Sequence, residues 1–165
     1  MSFLFFYGML LTQLWAGEPE QKYAPQFILS SFNNQTLMRR FGFSEIRLSQ
    51  LVGYSSQKKV HKVFLILGDE KTAEKDIKNL KKIYPAAKKN KIEFVYLLTP
   101  RSGLSTIIRR INPEFPVLKD PFQVVRNRYE FVKPQFCYVI DVHGKLEQKG
   151  CSDIQDIKSM IRAAN

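Results

Sequence analysis

The chain has 165 residues, room for one domain with a real hydrophobic core. An apolar fraction of 44% and 13 phenylalanines exclude an intrinsically disordered chain. The formal net charge of +11 suits nucleic acid, anionic lipid or an acidic protein surface, but no recognition motif accompanies it, so a solvated basic surface is the plainer reading.

Residues 1–17, M-S-F-L-F-F-Y-G-M-L-L-T-Q-L-W-A-G, carry no charged side chain and are mostly apolar. Polar and turn-forming residues follow from Glu18 to Lys22. A short apolar run that ends in small residues fits a secretory signal better than a membrane span, although the usual positive opening is missing. An uncleaved anchor and a folded apolar element are the alternatives. The expected organisation is a signal peptide at 1–17 and one domain over 18–165, exported to the periplasm or the exterior. Contact with a membrane is expected only if the first segment stays uncleaved.

Phe27 and Leu29 suggest a short strand after Pro25, and Asn33-Asn34 a turn. Glu45-Ile46-Arg47-Leu48 alternates like a half-buried strand, Ser49 to Gly53 reads as a turn, and residues 55–59 as a polar loop. Val63 to Leu67 is a continuous apolar run, the pattern of a strand buried on both faces. The spacing of Ala73, Ile77, Leu80, Tyr84 and Ala87 predicts a helix over 73–91, kinked or divided at Pro85. Acidic residues open it and lysines close it, matching the macrodipole. Lys75, Lys78, Lys81 and Lys82 line its exposed face without interleaved aromatics, which argues against a nucleic-acid groove.

Ile92 to Leu98 reads as a second buried strand, Leu104 to Ile111 as a short amphipathic helix before Pro113, and Phe115 to Leu118 as a short strand. Phe122, Val125 and Tyr129 have helical spacing. Phe136 to Ile140 reads as a strand, Asp141-Val142-His143-Gly144 as a hairpin turn, and Lys145 to Gln148 as the return strand. Ser152 with Gln155 reads as a capping box before a final helix. Helices between buried strands imply parallel pairing. The expected fold is one α/β domain with a mixed central sheet and helices on both faces.

From Ala24 to Ile161 the chain resembles the redoxin branch of the thioredoxin fold. That branch includes the alkyl hydroperoxide reductase/thiol-specific antioxidant proteins and the thiol-disulfide oxidoreductases. Ala24-Pro25-Gln26-Phe27-Ile28-Leu29 is similar to their opening strand, and Glu45 to Gly53 to the segment before the core strand. Phe115-Pro116-Val117-Leu118-Lys119-Asp120-Pro121 resembles "FPVLSDP", and Tyr138 to Leu146 resembles "FLIDRDGKI". The resemblance implies a thioredoxin-like fold and, by family, thiol chemistry without a metal or organic cofactor.

The family's functional residues do not carry over. Its Cys-x-x-Cys would fall on Glu70 to Ala73, and its Thr-x-x-Cys would place Thr72 on the threonine and Lys75 on the nucleophile. Neither frame holds a thiolate, the species that attacks a disulfide or peroxide. The facing cis-proline or arginine would fall on Gln135, with Pro134 one residue early.

The two cysteines, Cys137 and Cys151, lie seven residues either side of Gly144, so pairing about the turn brings them near each other. Export would favour a structural disulfide. Buried inert thiols and a catalytic pair are the other readings. His61 and His143 are expected to be exposed, no cluster has metal-ligand spacing, and Arg109-Arg110 and Arg126-Asn127-Arg128 read as exposed faces or anion sites. The favoured function is a non-catalytic module that binds a partner protein, with an anionic surface as a further partner. The alternative is an antioxidant or thiol-disulfide enzyme working through Cys137 or Cys151.

Overall fold

A computed structural model describes residues 23–42, 44–52, 60–130, 136–147 and 149–164. The expectations for residues 1–17, Gly53, the 55–59 loop, Gln135 and Gln148 lie outside these residues.

The elements are β1 (Ile28–Ser30), α1 (Asn34–Phe41), β2 (Glu45–Arg47), α2 (Leu48–Leu51), β3 (Lys62–Leu67), α3 (Ala73–Lys89), β4 (Ile92–Leu98), α4 (Leu104–Ile111), β5 (Val117–Lys119), α5 (Val124–Glu130), β6 (Cys137–Asp141) and α6 (Ile154–Ala163). The central sheet has the order β5-β4-β3-β6, with β3, β4 and β5 parallel and β6 antiparallel to β3. A small antiparallel β1-β2 ribbon sits beside it. Ser31 bridges Leu118, and the Phe32 N–H donates to the Val117 carbonyl at 2.8 Å, so the chain after β1 covers the free edge of β5.

Successive residues of β3 and β4 point to opposite faces, and each face has its own core. Phe64, Ile66, Phe94, Tyr96 and Leu98 pack with α3, α4 and α6. Val63, Leu65, Leu67, Val95 and Leu97 pack with α1, α2 and α5. Both strands are thus buried on two sides, which is why they read as unbroken apolar runs. The five predicted stripe residues of α3 are its buried ones. Near its end, the Tyr84 ring meets Phe94 and Phe115 at centroid separations of 5.3 and 5.4 Å.

Five local expectations are corrected. Asn33-Asn34 opens helix α1 instead of forming a plain turn. The Asn33 amide donates to the carbonyls of Pro113 (3.1 Å) and Phe115 (2.9 Å) and accepts from the Val117 N–H, so distant partners fix its conformation. Helix α3 is not divided at Pro85: one helix runs from Ala73 to Lys89, with Pro85 exposed and Tyr84 and Ala87 buried against the sheet on either side. The strand expected at Phe115 begins at Val117. The segment after the hairpin turn makes bridges, not a strand: Ile140 opposes Leu146, yet Cys137, three residues earlier, opposes Cys151, five residues later. Two extra residues in the return segment break the ladder. The cap of α6 is Asp153, which accepts from the N–H groups of Gln155 (2.7 Å) and Asp156 (2.9 Å); Ser152 instead donates to Asp156.

Candidate functional site

In an open parallel sheet, ligands meet the protein beyond the carboxyl ends of the strands. Here that edge is formed by the turn after β3, the loop after β4 and the loop after β5. Gly68 follows β3 directly, donates its N–H to the Leu97 carbonyl at 2.9 Å, and packs against the ring of Tyr96 with no space for a β carbon.

Polar contacts fill the turn that follows. The Asp69 carboxylate accepts from the Lys71 N–H at 2.7 Å, and the Thr72 N–H donates to the Asp69 carbonyl. The Thr72 hydroxyl donates to Asp76 at 2.5 Å, and the Tyr96 phenol donates to the same carboxylate oxygen at 3.4 Å. Burial, then the neighbouring Asp76 charge, pushes the Tyr96 phenol well above its ordinary pKa, so it remains a neutral donor. Glu70 forms an ion pair with Arg101. Ala73 is buried beneath the turn, and Lys75 is exposed on the outer side of α3. The polar groups of this turn thus pair largely with one another, and no cysteine stands in it.

The two cysteines of the chain are joined as a Cys137–Cys151 disulfide with Cα atoms 4.9 Å apart. They exchange both backbone hydrogen bonds at 3.0 Å, and both side chains are buried, with exposures of 0% and 1%. Cys137 is the register partner of Ile66, two residues before Gly68, on the face that packs against α3 and α6. The bridge fastens the start of β6 to the segment that enters α6.

Beyond β4 and β5 the loops enclose a groove of about 400 Å³ lined by Thr99, Pro100, Pro121, Phe122, Gln123 and Asn127. Phe122 was expected in the apolar stripe of α5. It lies instead in a single 3-10 turn and is 89% exposed. Phe122 and Gln123 both have left-handed backbones, with φ of 61° and 57°. Buried Asp120 holds this turn, accepting from the N–H groups of Val125 (3.0 Å) and Arg126 (2.8 Å). The Arg126 guanidinium donates to the Gly68 carbonyl and so ties α5 to the turn after β3.

The structure thus brings Glu70, Thr72 and Ala73 to one turn, places Lys75 on the outer helix surface, and sets the disulfide below that edge. Sequence reasoning missed Gly68, Tyr96, Asp120 and the groove. The Asp120-Pro121 pair before an apolar spacing was the available signal for a helix start. Arg110 pairs with Glu74, and Arg128 approaches the Gln26 carbonyl at 3.5 Å. His61 and His143 are exposed. No helix among the described residues is long and apolar enough to cross a membrane.

A scan for known protein families gave no match, and a search of curated proteins gave none. Solved structures do match. A putative thiol:disulfide interchange protein DsbE from Chlorobium tepidum aligns with a TM-score of 0.63 at 17% identity, over 88% of this chain and 97% of that one. The mitochondrial 2-Cys peroxiredoxin of Plasmodium falciparum aligns with a TM-score of 0.61 at 13% identity, over 87% and 92%. The thioredoxin domain of a thiol-disulfide oxidoreductase from Bacteroides vulgatus aligns with a TM-score of 0.60 at 14% identity, over 88% and 97%. The described residues form one α/β domain with the thioredoxin-like fold.

Proposed function

We propose that this chain is an exported, non-catalytic thioredoxin-like module that binds a partner protein. The observation that carries this reading is the turn after β3. Both family frames for a thiolate fall on Glu70, Thr72, Ala73 and Lys75, and these residues are ion-paired, hydrogen-bonded, buried or turned outward. Fold alone does not supply chemistry. The same edge offers the groove beside Phe122, and a segment of a partner protein presenting a bulky apolar side chain is the occupant that an exposed phenylalanine suits. The uncharged apolar run at 1–17 supports export, with a mature domain starting near residue 18.

Peroxide consumption and insulin reduction by the purified protein test the reading. Both are expected at background. Turnover that disappears in Cys137→Ser or Cys151→Ser would overturn it in favour of a thiol-disulfide or antioxidant enzyme. That second reading rests on the Cys137–Cys151 bridge, whose Cys137 lies on β6 opposite Ile66 of β3. Intact mass of the protein from its native source tests export, since a chain that retains Met1 and stays in the cytoplasm contradicts it. Affinity capture with the exported form, compared with a Phe122→Asp variant, tests the groove.

A further inference from the structure

Helix α3 lies between α4 and α6 on one face of the sheet, and its buried stripe is Ala73, Ile77, Leu80, Tyr84 and Ala87. At 3.6 residues per turn, Lys75, Lys78, Lys82 and Lys89 all project within about 40° of the direction opposite that stripe. Their steps of three, four and seven make one continuous ridge, about 20 Å long at 1.5 Å per residue. All four are exposed. No acidic residue stands on the ridge. Glu74 lies on the flank towards α4 and is shared by Lys78 and Arg110, and Asp76 is held by Thr72 and Tyr96. Lys75, Lys82 and Lys89 have no ion pair among the described residues, nor do Arg109 on α4 and Arg162 on α6, both exposed. Helix α4 contains no acidic residue at all.

We infer that this ridge is a docking surface for an anionic lipid bilayer. The cations stand on the outward side of a helix layer, so they meet a planar array of phosphate headgroups without needing a channel. Lysine ammonium groups act there as point charges and require no bidentate geometry. Each basic residue near such a surface adds a similar increment of attraction, and the sum of several is what binds. The large exposed apolar residues, Tyr23, Ile28, Met38, Phe122, Val124 and Val142, all lie outside α3, α4 and α6. The face therefore lacks the aromatic platform that single-stranded nucleic acid uses. It also carries no wedge for insertion, so the contact is peripheral and salt-sensitive. This surface is on the opposite side of α3 from the sheet and is independent of the partner groove.

The test uses the full chain and sedimentation with vesicles of phosphatidylcholine alone or with one part in three phosphatidylglycerol. Any contribution of the apolar residues 1–17 appears with both compositions, so the anionic-to-neutral ratio isolates the ridge. The ratio is expected to fall by on the order of 100-fold in the quadruple Lys→Gln variant at positions 75, 78, 82 and 89. The matching Lys→Arg variant, which keeps the charge, is expected to keep the ratio. Circular dichroism confirms that both variants are folded. An unchanged ratio in the glutamine variant, or a lost ratio in the arginine variant, overturns the assignment. Tighter binding to a DNA duplex than to anionic vesicles at equal phosphate also overturns it.

Discussion

Gly68 and Tyr96 are in direct contact across neighbouring parallel strands, and the tyrosine ring occupies the space a β carbon at 68 would need. This contact sets the height of the turn after β3, because the ring is itself buried and its hydroxyl is directed to Asp76. Gly68→Ala is expected to destabilise the fold by about 1–3 kcal/mol, the usual cost of forcing atoms into a filled core. The cost should shrink in a Tyr96→Ala background, where the space is open. A double-mutant cycle by chemical denaturation measures this coupling. Equal costs in both backgrounds would show that the ring does not constrain the turn.

The Cys137–Cys151 bridge closes a loop with a sequence separation of 14. For about 15 residues the chain-entropy model gives about 3 kcal/mol. The double variant Cys137→Ala with Cys151→Ala is expected to lose about that much, lowering the melting temperature by on the order of 10 °C. Because both sulfurs are buried, thiol reagents should label the native protein only after reduction and unfolding. Two labelled thiols in the oxidised native protein, or an unchanged melting temperature on adding a reductant, would contradict the structural role.

Where the pattern is local and periodic, the structure follows the sequence closely. The stripe at 73, 77, 80, 84 and 87 and the apolar runs of β3 and β4 carry their burial in their own spacing. The misses depend on partners far along the chain. Asn33 looks like a turn residue, but it bonds three backbone groups 80 to 84 positions away. Phe122 has helical spacing with Val125, yet Asp120 imposes a turn that throws the ring into solvent. The absence of cysteine at the turn after β3 was legible at once. The contacts that fill the turn, Arg101 on Glu70 and Arg126 on the Gly68 carbonyl, come from the loop after β4 and from helix α5 and leave no trace in local pattern.

Two partly exposed carboxylates are held low by their hydrogen-bond partners. Hydrogen bonds from the Ser152 hydroxyl and backbone N–H hold Asp156 below its ordinary 3.8, and the Lys78 hydrogen bond and charge hold Glu74 below 4.5. A folded-state pKa below the unfolded one gives stability that is present above the ordinary carboxylate range and is lost as pH falls through the lowered values. Ser152→Ala is therefore expected to raise the Asp156 midpoint towards 3.8, and Lys78→Gln to raise that of Glu74 towards 4.5. Carbon-detected NMR titration of the side-chain carboxyls reads both directly. A midpoint unmoved by its own partner's substitution would assign the shift to another cause.

Phe122 combines two unfavourable features. It is 89% exposed, so its ring contributes little burial, and its φ of 61° puts a bulky residue in the left-handed region. That conformation costs a non-glycine residue roughly 1–2 kcal/mol, and asparagine tolerates it far better. Phe122→Asn is accordingly expected to leave the fold intact and to raise its stability by up to about 1 kcal/mol. The same change removes the apolar side chain that lines the groove beside Pro100 and Pro121. A residue that costs stability and serves a partner should show opposite signs in the two measurements, with denaturation midpoints rising and capture of the partner falling. If Phe122→Asn lowered stability, the ring would be holding the turn together, and its exposure would need no partner to explain it.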